Sequence, residues 1–474
     1  MIPYADRTRV LVVFGTRPEA IKMIPVIRAL QDSGLFRPVV VSTGQHTDMV
    51  EDLITASGLR LDVNLRASAP MGDRRPTLNE VVARIITGVD RVWSSEELPS
   101  EYQDQGRRSV HGAKVCLVHG DTSSALAAAL AAFNLQIPVV HVEAGLRTSN
   151  LLSPFPEEGN RQLISRIAAL HLAPTTSNKM NLVREGVDYD RVLVTGNTSI
   201  DMLQWATEQQ GGFGPGLEEL EAKFLAAASP EAVGTETRAA SPEAVGTETP
   251  AAGEPSTNPT TTAPADLPTP PRLVLVTAHR RENWGAGLAN IAAAIKQLAS
   301  KYPDTQFVVP MHPNPLAREP MLAALSDEPN AHLVGPRDYL AFARLMAAAT
   351  IIITDSGGVQ EEAPALGTPV LVARDTTERQ EGVEAGTLLM VGTDPARIVS
   401  EASRLLDDDA EYSQRSGRVN PYGDGRASER IVAALEHIFL EGKPAEDFQT
   451  GGMRSAVLRR LGLDSLEDAE PARV

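Results

Sequence analysis

Short apolar runs alternate with longer amphipathic stretches in the first part of the chain. The apolar runs cover residues 10–14, 39–42, 115–119 and 139–142, and helical patterns cover residues 19–31, 78–89 and 123–133. Val-rich runs of this length are typical of parallel strands that are buried on both faces. The alternation predicts right-handed βαβ units and a doubly wound sheet, whose ligands bind outside the carboxyl ends of the strands.

A second series of the same kind begins near His171. Its apolar runs cover residues 191–195, 273–277, 305–309, 350–354 and 369–372. The series predicts a second Rossmann-like domain and a crevice between the two domains. We therefore divide the chain into a first domain at 1–174, a second at 175–415, a helix in 416–442 that returns to the first domain, and a weakly ordered tail at 443–474.

A different kind of sequence interrupts the second domain at about residues 211–271. The nine residues that begin at Ser229 recur word for word from Ser241, and the segment holds nine acidic and two basic residues. With few large apolar side chains it cannot offset the entropy of ordering. We predict a helical stub followed by a disordered insertion that the chemistry does not need. A partner-docking segment is the alternative, although no motif supports it.

Composition limits the function classes. A chain of 474 residues is long enough for two or three domains. The formal net charge of -17 argues against nonspecific binding to nucleic acid or to an anionic membrane. The single cysteine, Cys116, excludes an internal disulfide. No stretch approaches the ~18 apolar residues that a transmembrane helix needs, so we expect a cytoplasmic protein without a membrane partner.

Three acidic residues follow the predicted strands of the first domain. Asp121 lies in HGDTSS, Glu143 in HVEAGLRT and Glu157 in PFPEEGNR. Each has a plainer explanation, because Asp can cap a helix and Glu can interact with a helix dipole. Their coincidence at neighbouring strand ends favours chemistry, since clustered carboxylates shift one another's pKa and can then act as general acid and general base.

Basic residues after other strands indicate an anionic ligand. Arg17 and Lys22 lie at the helix start in GTRPEAIK, although a tight turn with two solvated cations would have the same sequence. His279 is followed by two arginines and suits a phosphate better than a metal, because no metal-ligand spacing surrounds it. No GxGxxG string follows the first strand, so we expect neither a nicotinamide cofactor nor a metal.

A glycine-rich turn in the second domain suits a nucleotide. Ser356, Gly357 and Gly358 follow an apolar run and open a helix, so a phosphate can approach the backbone amides closely. Glu362, one turn further on, can accept hydrogen bonds from a ribose diol.

Taken together, these strings closely resemble the non-hydrolysing UDP-N-acetylglucosamine 2-epimerases. The resemblance runs from about Val10 to Leu440 and rests on GTRPEAIK, HGDTSS, HVEAGLRT, PFPEEGNR, TGNTSIDML, HRREN and TDSGGVQEEAPALGTPVLV in family order. It implies a glycosyltransferase-B-like fold, with two doubly wound Rossmann-like domains facing across a cleft, and a homodimer. It also implies reversible interconversion of UDP-N-acetylglucosamine and UDP-N-acetylmannosamine, which supplies cell-surface polysaccharide.

The resemblance assigns roles to individual residues. The catalytic groups it implies are Asp121, Glu143, Glu157 and His279, and the phosphate-side cations are Arg17 and Lys22. The nucleotide-binding residues it implies are Arg337 and Phe342 near uracil, Ser356, Gly357, Gly358, Glu362 and Arg379. A second, activating UDP-sugar site would involve Gln45, His46 and His312.

The implied mechanism eliminates UDP to give 2-acetamidoglucal and then adds UDP back. Asp121 and Glu157 are the expected acid/base pair, and Glu143 is expected to stabilise positive charge or to hold the sugar. A hydrolysing epimerase would share nearly every motif but release UDP and free N-acetylmannosamine. A glycosyltransferase of the same fold and a nucleotide-sugar sensor are further alternatives, and the three carboxylates speak against both.

Overall fold

The computed structural model describes residues 2–45, 47–94, 113–228 and 271–448. Its strands are β1 Thr8–Phe14, β2 Phe36–Ser42, β3 Val63–Asn64, β4 Val115–His119, β5 Val139–Val142, β6 Leu170–Ala173, β7 Val192–Val194, β8 Leu273–Thr277, β9 Gln306–Pro310, β10 Ala331–Val334, β11 Ile351–Thr354, β12 Val370–Val372 and β13 Leu388–Met390. Its α-helices are α1 Arg17–Asp32, α2 Thr47–Ala56, α3 Leu78–Ser94, α4 Ser123–Asn134, α5 Glu157–Ile167, α6 Thr176–Arg184, α7 Thr198–Glu208, α8 Glu218–Ala228, α9 Ala286–Lys301, α10 Pro315–Leu325, α11 Tyr339–Ala348, α12 Gly357–Glu362, α13 Gln380–Ala385, α14 Pro395–Asp407, α15 Asp409–Ser416 and α16 Ala427–Leu440.

The first sheet is parallel throughout and doubly wound. Within the described residues its strand order is β3-β2-β1-β4-β5-β6-β7. Leu11 and Val13 of β1 pack into one apolar cluster, and Val10, Val12 and Phe14 pack into another on the opposite face. Burial on both faces explains why this strand has no polar alternation. The order changes direction between β1 and β4, and a ligand crevice is expected at that switch point.

The second sheet repeats this architecture. Its order, over the same described ranges, is β10-β9-β8-β11-β12-β13, and all its pairings are parallel. The switch point here lies between β8 and β11. The loops that follow these two strands begin with Ala278 and Asp355 and therefore face the crevice.

The point at which the second series of strands begins differs from the prediction. We expected it near His171, but β6 pairs with β5, and β7 pairs with β6, so both extend the first sheet. The run predicted at 191–195 is thus the last strand of the first sheet, and the division at 174/175 falls before that sheet is complete. Apolar periodicity specifies a strand but not the sheet that it joins, which is why the sequence misplaced it.

Two helices connect the halves of the molecule. In α7, Met202 packs into a core cluster of the first sheet, whereas the next residue, Leu203, packs into a cluster of the second. In α16, Ile431 and Leu435 pack into the same first-sheet cluster as Met202. The chain therefore returns to the first sheet at α16.

The predicted insertion is described only at its start. Helix α8 covers the expected helical stub, while residues 229–270 and the end of the tail, residues 449–474, lie outside the described residues. In the part of the chain that is described, no helix is both long and apolar enough to cross a membrane.

Candidate active site

The turn after β1 is fixed by a buried carboxylate. Thr16 caps α1, and Glu19 completes the capping box by accepting from the backbone N–H of Thr16 at 2.7 Å. Glu19 also accepts from the backbone N–H of Gly15 at 2.9 Å and from the Thr122 hydroxyl at 2.6 Å. A Cβ on Gly15 would lie 2.2 Å from Thr43 Oγ1, so only glycine fits there. Glu19 thus joins the loops that follow β1 and β4, the two strands at the switch point.

A cavity of about 440 Å³ opens at this switch point. The predicted site residues that line it are Lys22, Gln45, Asp121, Glu143, Glu157 and Arg379. All except Arg379 come from the first domain, while Arg379 follows β12 of the second sheet. The structure therefore brings the three predicted carboxylates together with cations from both domains.

Glu143 is held by partners on several sides. It forms an ion pair with Lys22, lies 3.2 Å from His119 Nε2, and accepts from Asn197 Nδ2 at 3.3 Å. Burial would raise the pKa of Glu143, but the charges of Lys22 and His119 outweigh burial and lower the pKa to about 2. Its backbone φ of 59° lies in the left-handed region, which is unusual for a residue with a Cβ. Glu143 is therefore a fixed negative charge at neutral pH.

Asp121 and Glu157 line the same cavity. Asp121 forms an ion pair with Arg161, and Arg161 also donates to Glu158 at 3.0 Å. Arg161 and Glu158 are both buried, so this pair fixes the position of Asp121 from the protein interior. Glu157 is the first residue of α5 and is half-buried at the cavity wall.

The loop after β8 is organised by Asp355, which is fully buried. Its carboxylate accepts from the backbone N–H groups of His279 at 2.9 Å and Arg280 at 2.8 Å, and from Asn283 Nδ2 at 3.1 Å. The rings of His279 and His312 stack with 5.5 Å between their centroids. Burial lowers the pKa of His279, while Asp355 opposes this. Asp355 thus places His279 at the strand end that faces the crevice.

The Ser-Gly-Gly turn lies at the start of α12. Ser356 caps the helix with its backbone, and a Cβ on Gly357 would lie 3.0 Å from Arg379 Cζ. Glycine therefore lets the Arg379 guanidinium lie against the turn. Tyr339 donates a hydrogen bond to Glu362 at 3.2 Å, and burial raises the pKa of Glu362 to about 8.

Other predicted residues lie apart from the main cavity. Arg17 is exposed at the first residue of α1, and Phe342 is half-buried in α11 against the second-sheet core. Arg337 donates to the backbone oxygen of Pro215 at 2.6 Å. His46 lies outside the described residues.

Sequence reasoning gave no role to several residues that complete the site. They are Glu19, His119, Arg161, Asn197 and Glu361. All five lie inside the quoted strings. Their residue types and spacing did not show that they pair with other site residues. In the described ranges, no group of three or more His, Cys, Asp or Glu side chains could hold a metal ion.

A family model described as UDP-N-acetylglucosamine 2-epimerase matches residues 28–214 and 252–436. The chain is similar to the UDP-N-acetylglucosamine 2-epimerase of Escherichia coli K12, with 41% identity over 429 residues that cover 90% of this chain and 98% of that protein.

Solved structures are similar over the same extent. A putative UDP-N-acetylglucosamine 2-epimerase from Listeria monocytogenes has a TM-score of 0.74 and 36% identity, and the match covers 93% of this chain and 99% of the other. The UDP-GlcNAc 2-epimerase from Neisseria meningitidis, solved bound to UDP-GlcNAc, has a TM-score of 0.66 and 38% identity, with 90% and 99% covered. The predicted glycosyltransferase-B-like fold of two Rossmann-like domains is confirmed.

Proposed function

The chain belongs to the UDP-N-acetylglucosamine 2-epimerase family and is an epimerase, and we propose that its substrates are UDP-N-acetylglucosamine and UDP-N-acetylmannosamine. The observation that carries this proposal is the single cavity in which Asp121, Glu143 and Glu157 face Lys22 and Arg379. Carboxylates can move a proton at C2 of the sugar, and the cations can stabilise a departing diphosphate.

The first proposed step is elimination of UDP. A proton leaves C2, the bond from C1 to the diphosphate oxygen breaks, and the electron pair of that bond leaves with UDP to give 2-acetamidoglucal. Lys22 and Arg379, with Arg17 and His279 at the neighbouring helix and strand ends, would stabilise the charge that develops on the diphosphate. In the reverse step UDP adds to C1, and a proton reaches C2 on the opposite face.

The proposed proton carriers are Asp121 and Glu157, which both line the cavity. Glu143 suits a different role, because a carboxyl group whose pKa is about 2 is a poor proton donor at neutral pH. Its fixed charge would stabilise positive charge at the sugar as the C1–oxygen bond breaks.

The proposed nucleotide site lies on the second sheet. The Ser356–Gly358 turn would receive the phosphates, and Glu362 would bind the ribose. With its pKa raised to about 8, Glu362 is protonated at neutral pH and can both donate to and accept from a ribose diol. Phe342 and Arg337 would lie near uracil. Because the Arg337 side chain donates to Pro215, we propose that Arg337 contacts uracil through its backbone.

A second UDP-sugar site at Gln45, His46 and His312 is also part of the proposal. Gln45 lines the main cavity, where its side-chain oxygen accepts from Ser124 at 2.9 Å. His312 stacks on His279, so a ligand that contacts His312 would lie close to the proposed phosphate-side histidine. Titration of turnover against UDP-N-acetylglucosamine tests this site, because activation gives a sigmoidal curve.

We further propose a homodimer that acts in the cytoplasm. Helices α4 and α5 pack side by side, and each exposes large apolar side chains to solvent: Leu130 and Phe133 on α4, and Leu163 on α5. A second copy that packs on these helices would cover that apolar surface. Light scattering of the purified protein tests the dimer, and fractionation of the source cells tests the compartment.

Proton NMR of the purified protein with UDP-N-acetylglucosamine in D2O tests the reaction. We expect a mixture of the two UDP-sugars that carries deuterium at C2. UDP with free N-acetylmannosamine would instead indicate a hydrolysing epimerase. An unchanged spectrum would contradict epimerisation of this substrate and favour a glycosyltransferase that needs an acceptor.

A further inference from the structure

Glu361, on α12 of the second domain, contacts residues from both domains. Its Oε1 lies 2.9 Å from both Nε and Nη2 of Arg379. Its Oε2 accepts from Asn197 Nδ2 at 3.0 Å and lies 3.7 Å from Lys22 Nζ. Lys22 lies on α1 beside the first sheet, and Asn197 follows β7, the last strand of that sheet. One carboxylate therefore connects two cations of the site across the junction between the domains.

Glu361 contacts these cations but does not line the main cavity. Lys22 and Arg379 line the main cavity of about 440 Å³. Glu361 lines a smaller cavity of about 30 Å³, together with Asn197, Arg379 and Glu143. The Glu361 side chain is only 9% exposed. A ligand in the main cavity would therefore meet Lys22 and Arg379, whereas Glu361 contacts both cations without lining that cavity.

The electrostatics explain why a carboxylate is needed there. Burial lowers the pKa of Lys22, and the charge of Arg379 lowers it further, because like charges disfavour each other. Glu143 and Glu361 reverse this effect and raise the pKa of Lys22 above its ordinary value. One oxygen of Glu361 contacts Arg379 and the other lies near Lys22. Glu361 can therefore hold both cations in place before a diphosphate binds.

We propose that Glu361 is a positioning residue that holds Lys22 and Arg379 toward the main cavity, so that the two domains present their cations together to the diphosphate of the substrate. This inference rests on the proposed function, because the diphosphate is the anion that the two cations receive. Glu361 acts through Lys22 and Arg379 and does not itself contact the reacting atoms.

The test compares Glu361→Gln with Glu381→Gln in the full-length enzyme. Glu381 lines the same small cavity and accepts from the Thr175 hydroxyl at 3.1 Å, so its replacement removes the same charge from the same cavity. For Glu361→Gln we expect kcat with UDP-N-acetylglucosamine to fall by about 30-fold, with KM changed by less than about threefold, because charge stabilisation at the leaving group acts in the transition state. For Glu381→Gln we expect kcat within about twofold of wild type. Equal losses of kcat in the two variants would overturn the proposal.

The pH profile gives a readout that a merely structural role would not change. The charged and titratable groups that face Lys22 are Glu143 after β5, Glu361 on α12, Arg379 before α13 and His119 at the end of β4. Removing Glu361 should lower the pKa of Lys22, so the alkaline limb of the kcat profile should move to lower pH in Glu361→Gln. Glu361→Asp, which keeps the charge, should restore part of kcat and move the limb back. An alkaline limb that stays at the wild-type pH in Glu361→Gln would overturn the proposal.

A measurement on the free protein separates this inference from the proposed function. The rate at which an amine-specific reagent modifies Lys22 at about pH 9, followed by mass spectrometry, reports the deprotonated fraction of Lys22 without any substrate. We expect faster modification in Glu361→Gln than in wild type and in Glu381→Gln. Slower modification of Lys22 in wild type than in Glu361→Gln, together with no turnover of the UDP-sugar by wild type, would contradict the proposed function. The same result would support the contact between Glu361 and Lys22. Equal modification rates in all three proteins would overturn the role of Glu361. If Glu361→Gln failed to fold, Glu361→Asp would replace it with a smaller expected increase in the modification rate, because the shorter side chain keeps the charge but draws it away from Lys22.

Discussion

Two glutamates of the site, one from each domain, have opposite protonation states. Glu143, after β5 of the first sheet, has its pKa lowered to about 2, whereas Glu362, on α12 of the second domain, has its pKa raised to about 8. Burial raises the pKa of both groups. The pKa of Glu143 is low despite burial, because Lys22 pairs with the carboxylate directly and His119 lies 3.2 Å away. Glu362 receives one hydrogen bond from Tyr339, and the neighbouring charge of Glu361 raises its pKa further.

The difference shows that direct partners, and not depth of burial, decide what each carboxyl can do. A fixed charge suits the first-domain side, where the proposed reaction develops positive charge on the sugar. A neutral carboxyl suits the second-domain side, where the proposed nucleotide site needs a group that both donates and accepts hydrogen bonds.

The largest expected effect comes from removing the charge of Glu143. Glu143→Gln should lower kcat by about 1,000-fold, because the charge acts on the transition state. Calorimetry should show UDP binding within about threefold of wild type, because the proposed nucleotide site lies on the other sheet. A matching loss of UDP affinity would show that Glu143 supports the fold of the site instead of the chemistry.

The two glutamates should also give opposite slopes of stability against pH. The raised pKa of Glu362 contributes stability below 4.5 that is lost as the pH rises toward about 8. The lowered pKa of Glu143 contributes stability above 4.5 that is lost as the pH falls toward about 2.

Denaturant unfolding at several pH values measures these slopes. Relative to wild type, Glu362→Gln should gain stability from pH 5 to pH 8, and Glu143→Gln should gain stability as the pH falls below 4.5. If the stability difference from wild type changed with pH in the same direction in both variants, the two glutamates would not have opposite pKa shifts.

A smaller effect is expected at the hydrogen-bond partner of Glu362. Tyr339→Phe removes the hydroxyl that donates to Glu362 and should lower the free energy of unfolding by about 1 kcal/mol. Because that hydrogen bond lowers the pKa of Glu362, its loss should raise the pKa further. A titration of stability in which the Glu362 transition moved to lower pH would contradict this assignment.

The smallest effect is expected outside both sheets. Deleting residues 229–264 should leave kcat within about twofold of wild type, because every site residue described above lies outside that segment. The family match is itself interrupted between residues 214 and 252. A large loss of kcat, with stability unchanged, would show that this segment takes part in turnover.

The sequence predicted the strand ends better than the side-chain pairs. The predicted runs at 115–119, 139–142 and 273–277 have the same bounds as β4, β5 and β8, because each apolar run ends abruptly at a polar motif. Those motifs placed Asp121 and Glu143 in one cavity. The contacts of Glu361 could not be predicted from the apolar runs and the motifs that follow them. Glu361 and Glu362 are consecutive on α12 and point in different directions, so only coordinates show that the first meets Lys22 and the second meets Tyr339.

The double role of α7 bears on how this protein can be recombined with its relatives. Met202 and Leu203 are neighbours in the chain but belong to the cores of different sheets. A chimaera that joined two parents within this helix would therefore have to match two interfaces at once. A junction after the helix keeps the Met202 contact within one parent, but leaves Leu203 to pack against a foreign second sheet. Exchange of the nucleotide half thus requires a compatible α7 surface, and the two domains are not interchangeable modules.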